Sequence, residues 1–296
     1  MQSIHKTVLL KEAIDGLNLK RGAVVLDATF GGGGHSLEIC KGFTDVKIIA
    51  LDQDKNAFKK SEGKFENLDC DISFVNENFR NTDRVLANVG QVDGIIFDLG
   101  LSSDQLENSL RGFSFLKDEP LVMTMKASPL PEDITAFDVV NTWSEKSLAD
   151  IIYGYGEEKF SRKIAKAIVE ARKNKEIKTT FELVGIIESA VPSIYKKGRI
   201  HVATKTFQAL RIAVNDELGA LSEGLEKGFN FLKKGGRIAV ISFHSLEDRI
   251  VKRFYKSKAD KGEAILINKK VILASEVEVG ENPRSRSAKL RILEKK

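Results

Sequence analysis

Val24-Val25-Leu26-Asp27-Ala28-Thr29-Phe30-Gly31-Gly32-Gly33-Gly34-His35-Ser36 decides the fold. Its apolar run reads as a buried strand, its four glycines as a tight turn, and residues 36–42 as the helix that follows. Strand, glycine turn and helix together bring bare backbone N–H groups and a helix N-terminus up to a small polar ligand. A second apolar run, Ile48-Ile49-Ala50-Leu51, ends on Asp52. An acid at the tip of the second strand accepts hydrogen bonds from a ribose diol, so the expected ligand is a cofactor containing a nucleoside.

Outward from this stretch, strand and helix alternate. Strands are expected at 24–30, 46–52, 72–75 and 92–99, with helices at 36–42, 55–64 and 81–88 and a leading helix over 7–17. Buried apolar runs separated by helices imply a parallel sheet covered on both faces, an α/β class fold. The next core strand is 237–243, introduced by Leu232-Lys233-Lys234-Gly235-Gly236. About 135 residues separate it from the strand ending at Asp98, where a crossover needs roughly 30–40, so a domain of about 100 residues is inserted. The insert reads as helical. Residues 158–173 place Phe160, Ile164, Ile168 and Ala171 on one face, and 180–190 form another helix with Pro192 beyond its end. A long helix over 204–228, with Phe207, Leu210, Val214, Leu218, Leu221 and Leu225 as its apolar stripe, returns to the core. The expected division is a core over 1–105, a helical substrate-recognition insert over 106–203 and the rest of the core over 204–296.

Three ligand classes use a glycine loop of this kind. A P-loop requires G-x-x-x-x-G-K-[ST], and here the glycines run into His35-Ser36 with no lysine, which argues against a nucleoside triphosphate. The dinucleotide fingerprint finds Ser36 where its third small residue belongs, a partial match. S-adenosyl-L-methionine needs the close glycine approach and the strand-2 acid without a strict third glycine, and the local pattern favours it over a nicotinamide cofactor. A tight turn with no ligand is the remaining alternative. The fourth strand adds weight, since Asp93-Gly94-Ile95-Ile96-Phe97-Asp98 puts Asp98 at a carboxyl end beside the switch-point crevice. Leu101-Ser102-Ser103-Asp104-Gln105 follows as a turn rich in acceptors, although Asp and Ser also favour turns for local reasons.

The 296 residues are 42% hydrophobic and 30% charged, enough for a sizeable core. No apolar run approaches the roughly 20 residues that span a bilayer, and no signal-peptide pattern opens the chain, so no membrane association is expected. The two cysteines, Cys40 and Cys70, read as isolated, with no disulfide framework and no C-x-x-C metal pair. No metal site and a reducing, cytoplasmic location follow as expectations. Net charge is +5 with an isoelectric point near 9.0, a weak lean towards a polyanion. Three basic clusters sharpen it: Lys196-Lys197-Gly198-Arg199; Lys252-Arg253 with Lys256 and Lys258; and Arg284, Arg286, Lys289 and Arg291. Together they favour phosphate tracking along RNA over solvated faces.

Thr29-Phe30-Gly31-Gly32-Gly33-Gly34-His35-Ser36, Asp98-Leu99-Gly100-Leu101-Ser102-Ser103, Arg111-Gly112-Phe113-Ser114-Phe115 and Tyr155-Gly156-Glu157-Glu158 carry a specific resemblance. So do Thr206-Phe207-Gln208-Ala209-Leu210-Arg211-Ile212, Val214-Asn215-Asp216-Glu217-Leu218, Ile241-Ser242-Phe243-His244-Ser245-Leu246-Glu247-Asp248-Arg249 and Asn282-Pro283-Arg284-Ser285-Arg286-Ser287-Ala288. In this order, from Val8 almost to the C-terminus, they resemble the bacterial small-subunit ribosomal RNA cytosine-N4 methyltransferase family. The resemblance implies a Rossmann-like S-adenosylmethionine-dependent core interrupted by an all-helical domain. It implies methylation of the exocyclic N4 amine of a decoding-centre cytosine in 16S ribosomal RNA within the small subunit. It also implies that Gly33, Gly34, His35, Asp52, Phe79, Asp98 and Gln105 hold the methyl donor. The chain departs from the family at Glu119-Pro120-Leu121-Val122-Met123-Thr124-Met125-Lys126, where the family usually reads Gly-Pro-Leu-Asp-Met-Arg-Met-Asp, and at Val202, where it has Pro. These departures bear on substrate positioning and spare the implied donor site.

Methylation at carbon-5 of cytosine needs a cysteine thiolate, and neither cysteine is expected at a strand-4 or strand-5 tip. An exocyclic amine attacks directly, helped by a hydrogen-bond acceptor that favours a tetrahedral nitrogen. Asp98 is the candidate catalytic acceptor, or it serves the donor's adenine or amino group instead. His244 ends the fifth strand near the crevice as a base contact or a structural histidine. Thr204, Gln208, Arg211 and Asn215 form a polar stripe that faces RNA or water. Ser245-Leu246-Glu247-Asp248 reads as a helix cap. The alternative to an enzyme is an RNA-binding ribosome-assembly factor that retains the fold with reduced activity.

Overall fold

The computed structural model describes residues 6–61 and 63–296. They gather into two compact units, one formed by the described residues up to Gly100 with Leu218–Lys296, the other by Leu101–Glu217. In the first unit α1 (Leu10–Leu17) precedes β1 (Val24–Asp27), α2 (Gly34–Gly42), β2 (Val46–Leu51), α3 (Asn56–Lys59), β3 (Cys70–Val75), α4 (Thr82–Leu86) and β4 (Val92–Asp98). The second unit is helical: α5 (Ser103–Asn108), α6 (Ala136–Thr142), α7 (Glu145–Gly154), α8 (Ser161–Arg172), α9 (Thr180–Ala190), α10 (Ser193–Lys196) and α11 (Thr204–Asn215). The chain continues through α12 (Glu217–Phe231), β5 (Leu232–Ser242), α13 (Ser245–Asp260), β6 (Ala264–Leu266), β7 (Ile272–Leu273), α14 (Glu276–Glu281) and β8 (Lys289–Lys295).

The sheet runs β3-β2-β1-β4-β5-β8-β6, with β7 paired to β8. The first five strands are parallel and β8 is antiparallel to its neighbours. Chain order reverses between β1 and β4, which opens a crevice at the carboxyl ends of these strands. Ile48, Ile95, Ile96, Phe97, Ile238 and Ile241 are fully buried, as the continuous apolar runs require of a sheet covered on both faces. Asp27 lies opposite Ala50 on one side and Ile96 on the other, so Asp27, Asp52 and Asp98 end their strands within about two residues of one row. This is a Rossmann-like α/β core with an inserted helical domain.

Four local readings change. The helix expected over 55–64 is the single turn α3; Ser61 N bonds Phe58 O and Gly63 takes φ 79°, which turns the chain away. The helix expected over 204–228 is broken between α11 and α12, where Asp216 sits in the left-handed region at φ 44°. The break lets the Arg211 guanidinium meet the Glu217 carboxylate through two bonds of 2.8 and 2.9 Å. Both junctions move: the first falls at Gly100/Leu101, before the expected 105/106, and with α11 in the helical unit the second falls at Glu217/Leu218, beyond the expected 203/204. The cysteines are not isolated. Cys40 on α2 and Cys70 on β3 are joined in a disulfide, their Cα atoms 5.5 Å apart. Parallel pairing of Val46 with Cys70 brings the start of β3 to this place, and a spacing of 30 residues gives no hint of it. Closing such a loop stabilises by about 3–4 kcal/mol on chain-entropy grounds. The inference of a reducing compartment from unpaired cysteines therefore falls.

Candidate functional site

The glycine loop is fastened to three strand tips in the first unit. Asp27, 2% exposed, accepts from Ser36 Oγ at 2.6 Å and from Thr29 N at 3.3 Å. Thr29 Oγ1 in turn accepts from Asp98 N at 2.6 Å, and Ala28 N donates to Ile96 O. Asp52 accepts Gly31 N on one carboxylate oxygen and Asp54 N on the other, at 2.7 and 2.8 Å. Gly33 takes φ 74°, and a Cβ there would come within 2.6 Å of the Phe30 ring, so this position requires glycine on two counts. No side chain caps α2, which starts directly from the loop. The first turn of a helix carries N–H groups without intrahelical acceptors, as a polar ligand requires.

Carboxylates crowd this end of the sheet. Burial pushes the Asp27 and Asp52 carboxyls up to about 6. Asp98 is pushed up to about 8, first by burial and then by repulsion from Asp27 and Glu247. Its Oδ2 lies 3.7 Å from His35 Nδ1, and 23% of its side-chain surface stays open. Its Oδ1 is buried without a hydrogen-bond partner. A buried carboxylate oxygen with no donor costs free energy unless a ligand supplies one.

Gly33, Gly34, His35, Asp52 and Asp98 thus meet at the carboxyl ends of β1, β2 and β4. Phe79 opens the 3-10 turn after β3 and packs its ring edge-on against Phe97, 5.6 Å between centroids, one residue from Asp98. Gln105 belongs to the second unit. Its Oε1 accepts Ser102 N while Ser102 Oγ accepts Gln105 N, a reciprocal cap on α5.

Several expected contact residues are committed elsewhere. His244 is the N-cap of α13: its Nδ1 accepts Glu247 N, and Glu247 accepts Phe243 N and His244 N in return. The cap thus begins one residue before the expected 245–248 stretch. The polar stripe on α11 is structural at three of its four positions. Gln208 donates to Tyr155 O, Arg211 pairs with Glu217, and Asn215 clasps Met123 O and Met125 N. In the C-terminal basic clusters, Lys258 is 8% exposed and paired with Glu226 and Glu263, while Arg291 holds Asp248. Those two cations are paired with carboxylates of their own unit, and Lys196, Lys197 and Arg199 stay exposed.

Asp27 and Gly224 have no assigned role in the sequence reading, and Ser36 enters it only as a small residue after the loop, not as the partner of Asp27. An acid inside the apolar run before the loop is the signal for Asp27, because a buried Asp demands partners. Gly224 on α12 has no such signal; a Cβ there would come 2.8 Å from the Phe79 ring, so its glycine seats that ring.

The sequence profile of the MraW methylase family matches residues 2–296. A ribosomal RNA small subunit methyltransferase H from Clostridioides difficile is 44% identical over 316 aligned positions, covering all of both chains. Its namesake in Lactobacillus johnsonii is 43% identical over 317 positions, again with complete coverage of both. A third protein of that name, from a Paenibacillus species, is 43% identical over 98% of this chain and 99% of its own.

Proposed function

We propose that this chain, which belongs to the MraW methylase family, transfers a methyl group from S-adenosyl-L-methionine to the N4 amine of a decoding-centre cytosine in 16S ribosomal RNA. Full-length relatives named as small-subunit ribosomal RNA methyltransferases support the RNA substrate. The observation that carries the chemistry is Asp98 Oδ1, an unpartnered buried acceptor beside a glycine loop. The residues of the first unit fit the donor: Gly33, Gly34 and His35 would cradle it, Asp52 would accept from its ribose hydroxyls and Phe79 would help hold it, while Gln105 is a proposed contact on the family resemblance alone. When bound, S-adenosyl-L-methionine supplies a sulfonium-activated methyl group.

The work of the protein is alignment and hydrogen bonding. Asp98 in its ionised form would accept a hydrogen bond from the amine of the splayed-out base and take up the proton that the nitrogen loses as the N–C bond forms and the donor's S–C bond breaks. The hydrogen bond strengthens as the nitrogen loses its delocalisation, so it favours the transition state over the ground state. The Asp27–Ser36 and Thr29–Asp98 bonds keep loop and acceptor in register. Among the described residues there is no free cysteine, so no thiolate is available for attack on the ring. The helical unit is proposed as the RNA-recognition part, and an rRNA substrate sets the expected location in the cytoplasm.

Incubating the protein with labelled donor and unmodified small subunits, then digesting the RNA for nucleoside mass analysis, tests this reading. The expected product is N4-methylcytidine. A Cys40→Ser, Cys70→Ser double variant is expected to give the same product at an unchanged rate. A carbon-5 methyl group in the digest overturns the direct-attack chemistry, and donor binding without transfer favours the assembly-factor alternative. Asp52→Ala is expected to weaken donor binding by about 1–3 kcal/mol, because it removes the ribose acceptor and strands the Gly31 and Asp54 amides. Unchanged calorimetric affinity would remove Asp52 from the donor site.

A further inference from the structure

We propose that Lys159, Arg162, Lys163, Lys196, Lys197 and Arg199 form one phosphate-tracking surface for the RNA, organised around the Phe160–Tyr195 ring pair; the proposal rests on the rRNA reading above. Only the 196–199 stretch is recognisable as a cluster in the sequence. The structure joins it to the start of α8. The Phe160 and Tyr195 rings meet edge to face with centroids 4.8 Å apart. Lys159 Nζ lies 5.2 Å from the Phe160 centroid and 4.9 Å from that of Tyr195, and Lys163 Nζ lies 5.8 Å from Phe160. Tyr195 Oη donates to Glu158 Oε2 at 2.6 Å, and Glu158 Oε1 accepts Phe160 N at 2.8 Å. A fully buried carboxylate therefore pins α10 to the start of α8. Lys197 N and Gly198 N bond back to Ile194 O and Tyr195 O, so the second group of cations sits on a turn that begins at Tyr195.

Three features favour an anionic partner over a solvated face. All six cations are exposed. Glu157 and Glu158 are the only acids in 157–166 and 192–200, and Glu158 is turned inward. Arg162 and Lys163 occupy the first turn of α8, which contains no acid, where positive charge opposes the helix macrodipole. Helices α9 and α13 carry acids at that position. The cations on α8 are thus placed against the interest of the helix. Ring contacts hold two of the ammonium groups in fixed positions and leave them open to phosphate oxygens. Backbone contacts of this kind orient an RNA without reading its sequence.

The test is a salt titration of full-length protein binding to unmodified small subunits, with Lys159→Glu, Lys163→Glu as the double variant. Affinity at moderate salt is expected to fall on the order of tenfold or more, and the slope of log K against log salt to flatten by about 1.4, two single-strand phosphate contacts. Donor affinity is expected to stay unchanged. Lys173→Glu, Lys175→Glu makes the same change in net charge at the other end of α8 and is expected to cost less than threefold. Wild-type affinity and slope in the Lys159→Glu, Lys163→Glu protein overturn this surface and leave the rRNA reading standing. An equal loss in the Lys173→Glu, Lys175→Glu control overturns it as well, because net charge then accounts for the effect. A wild-type protein that neither binds nor methylates the subunits removes both.

Discussion

Asp98→Asn is expected to lose on the order of 100- to 1,000-fold in methyl transfer and to gain stability at alkaline pH. The amide presents one oxygen where the carboxyl has two and cannot take up the proton that the amine releases, which slows transfer; nor can it ionise in the fold, which removes a pH-dependent cost. The side chain is held among Asp27, Glu247 and apolar strand residues, and burial followed by those charges raises its carboxyl to about 8. A folded-state value above the unfolded one means that the folded chain holds the extra proton. The stabilisation is complete below about 4 and is lost as pH rises through about 8. Between about pH 6 and pH 8 the wild-type protein is expected to lose on the order of 1–2 kcal/mol from this group, tempered by the open part of its surface. The amide that replaces the carboxyl cannot ionise, so that part of the slope is expected to vanish in Asp98→Asn. Burial also raises Asp27 and Asp52, to about 6, and their contributions are lost at lower pH. Denaturant melts of both proteins across this range, with initial rates on small subunits, measure the two effects. A variant that turns over at the wild-type rate removes Asp98 from the reaction. Parallel pH–stability curves would show that its carboxyl ionises freely in the fold.

The parts of the molecule that could be read in advance are those with a local cause. A strand buried on both faces must be continuously apolar, so β1, β2, β4 and β5 stand out by composition. The glycine loop stands out because only glycine can hold φ 74° against the Phe30 ring. Asp52 and Asp98 stand out because an acid that ends an apolar strand falls at the carboxyl edge of a parallel sheet. What escaped notice depends on long-range pairing. The Cys40–Cys70 disulfide follows from the β2–β3 register. Arg211 and Asn215 alternate with apolar positions on α11 as solvent-facing residues would. Their partners, Glu217, Met123 and Met125, lie across a helix break and in a remote loop. The basic surface around Phe160 and Tyr195 was half visible, because Lys159 and Lys163 look like ordinary helix residues until Glu158 ties Tyr195 beside them.

Gly112→Ala is expected to be the most damaging single-methyl change in the helical unit, at roughly 3–5 kcal/mol. The residue has φ 73°, and a Cβ would overlap the carbonyl oxygen of Pro120. That oxygen belongs to backbone, so no side-chain rotation relieves the clash. Around it, Gly112 N donates to Glu119 Oε2, Thr180 N to Glu119 O, and Leu121 N to Lys178 O. Arg111 Nη1 holds the carbonyls of Thr124, Met125 and Lys126 at 2.9–3.1 Å. Ala136 N and Phe137 N at the start of α6 bond to Val122 O and Leu121 O. The atypical 119–126 segment is thus the hub that joins the starts of α6 and α9, and shifting Pro120 disturbs every bond in it. Gly185→Ala supplies the opposite sign within the same unit. It lies on α9 with open space around its Cβ position, and alanine there is expected to stabilise by about 0.5–1 kcal/mol. Denaturant melts of the two variants measure the contrast, and calorimetry with the donor shows whether its binding survives in Gly112→Ala. Near-wild-type stability in Gly112→Ala would mean that Pro120 moves at little cost and that the loop is no hub.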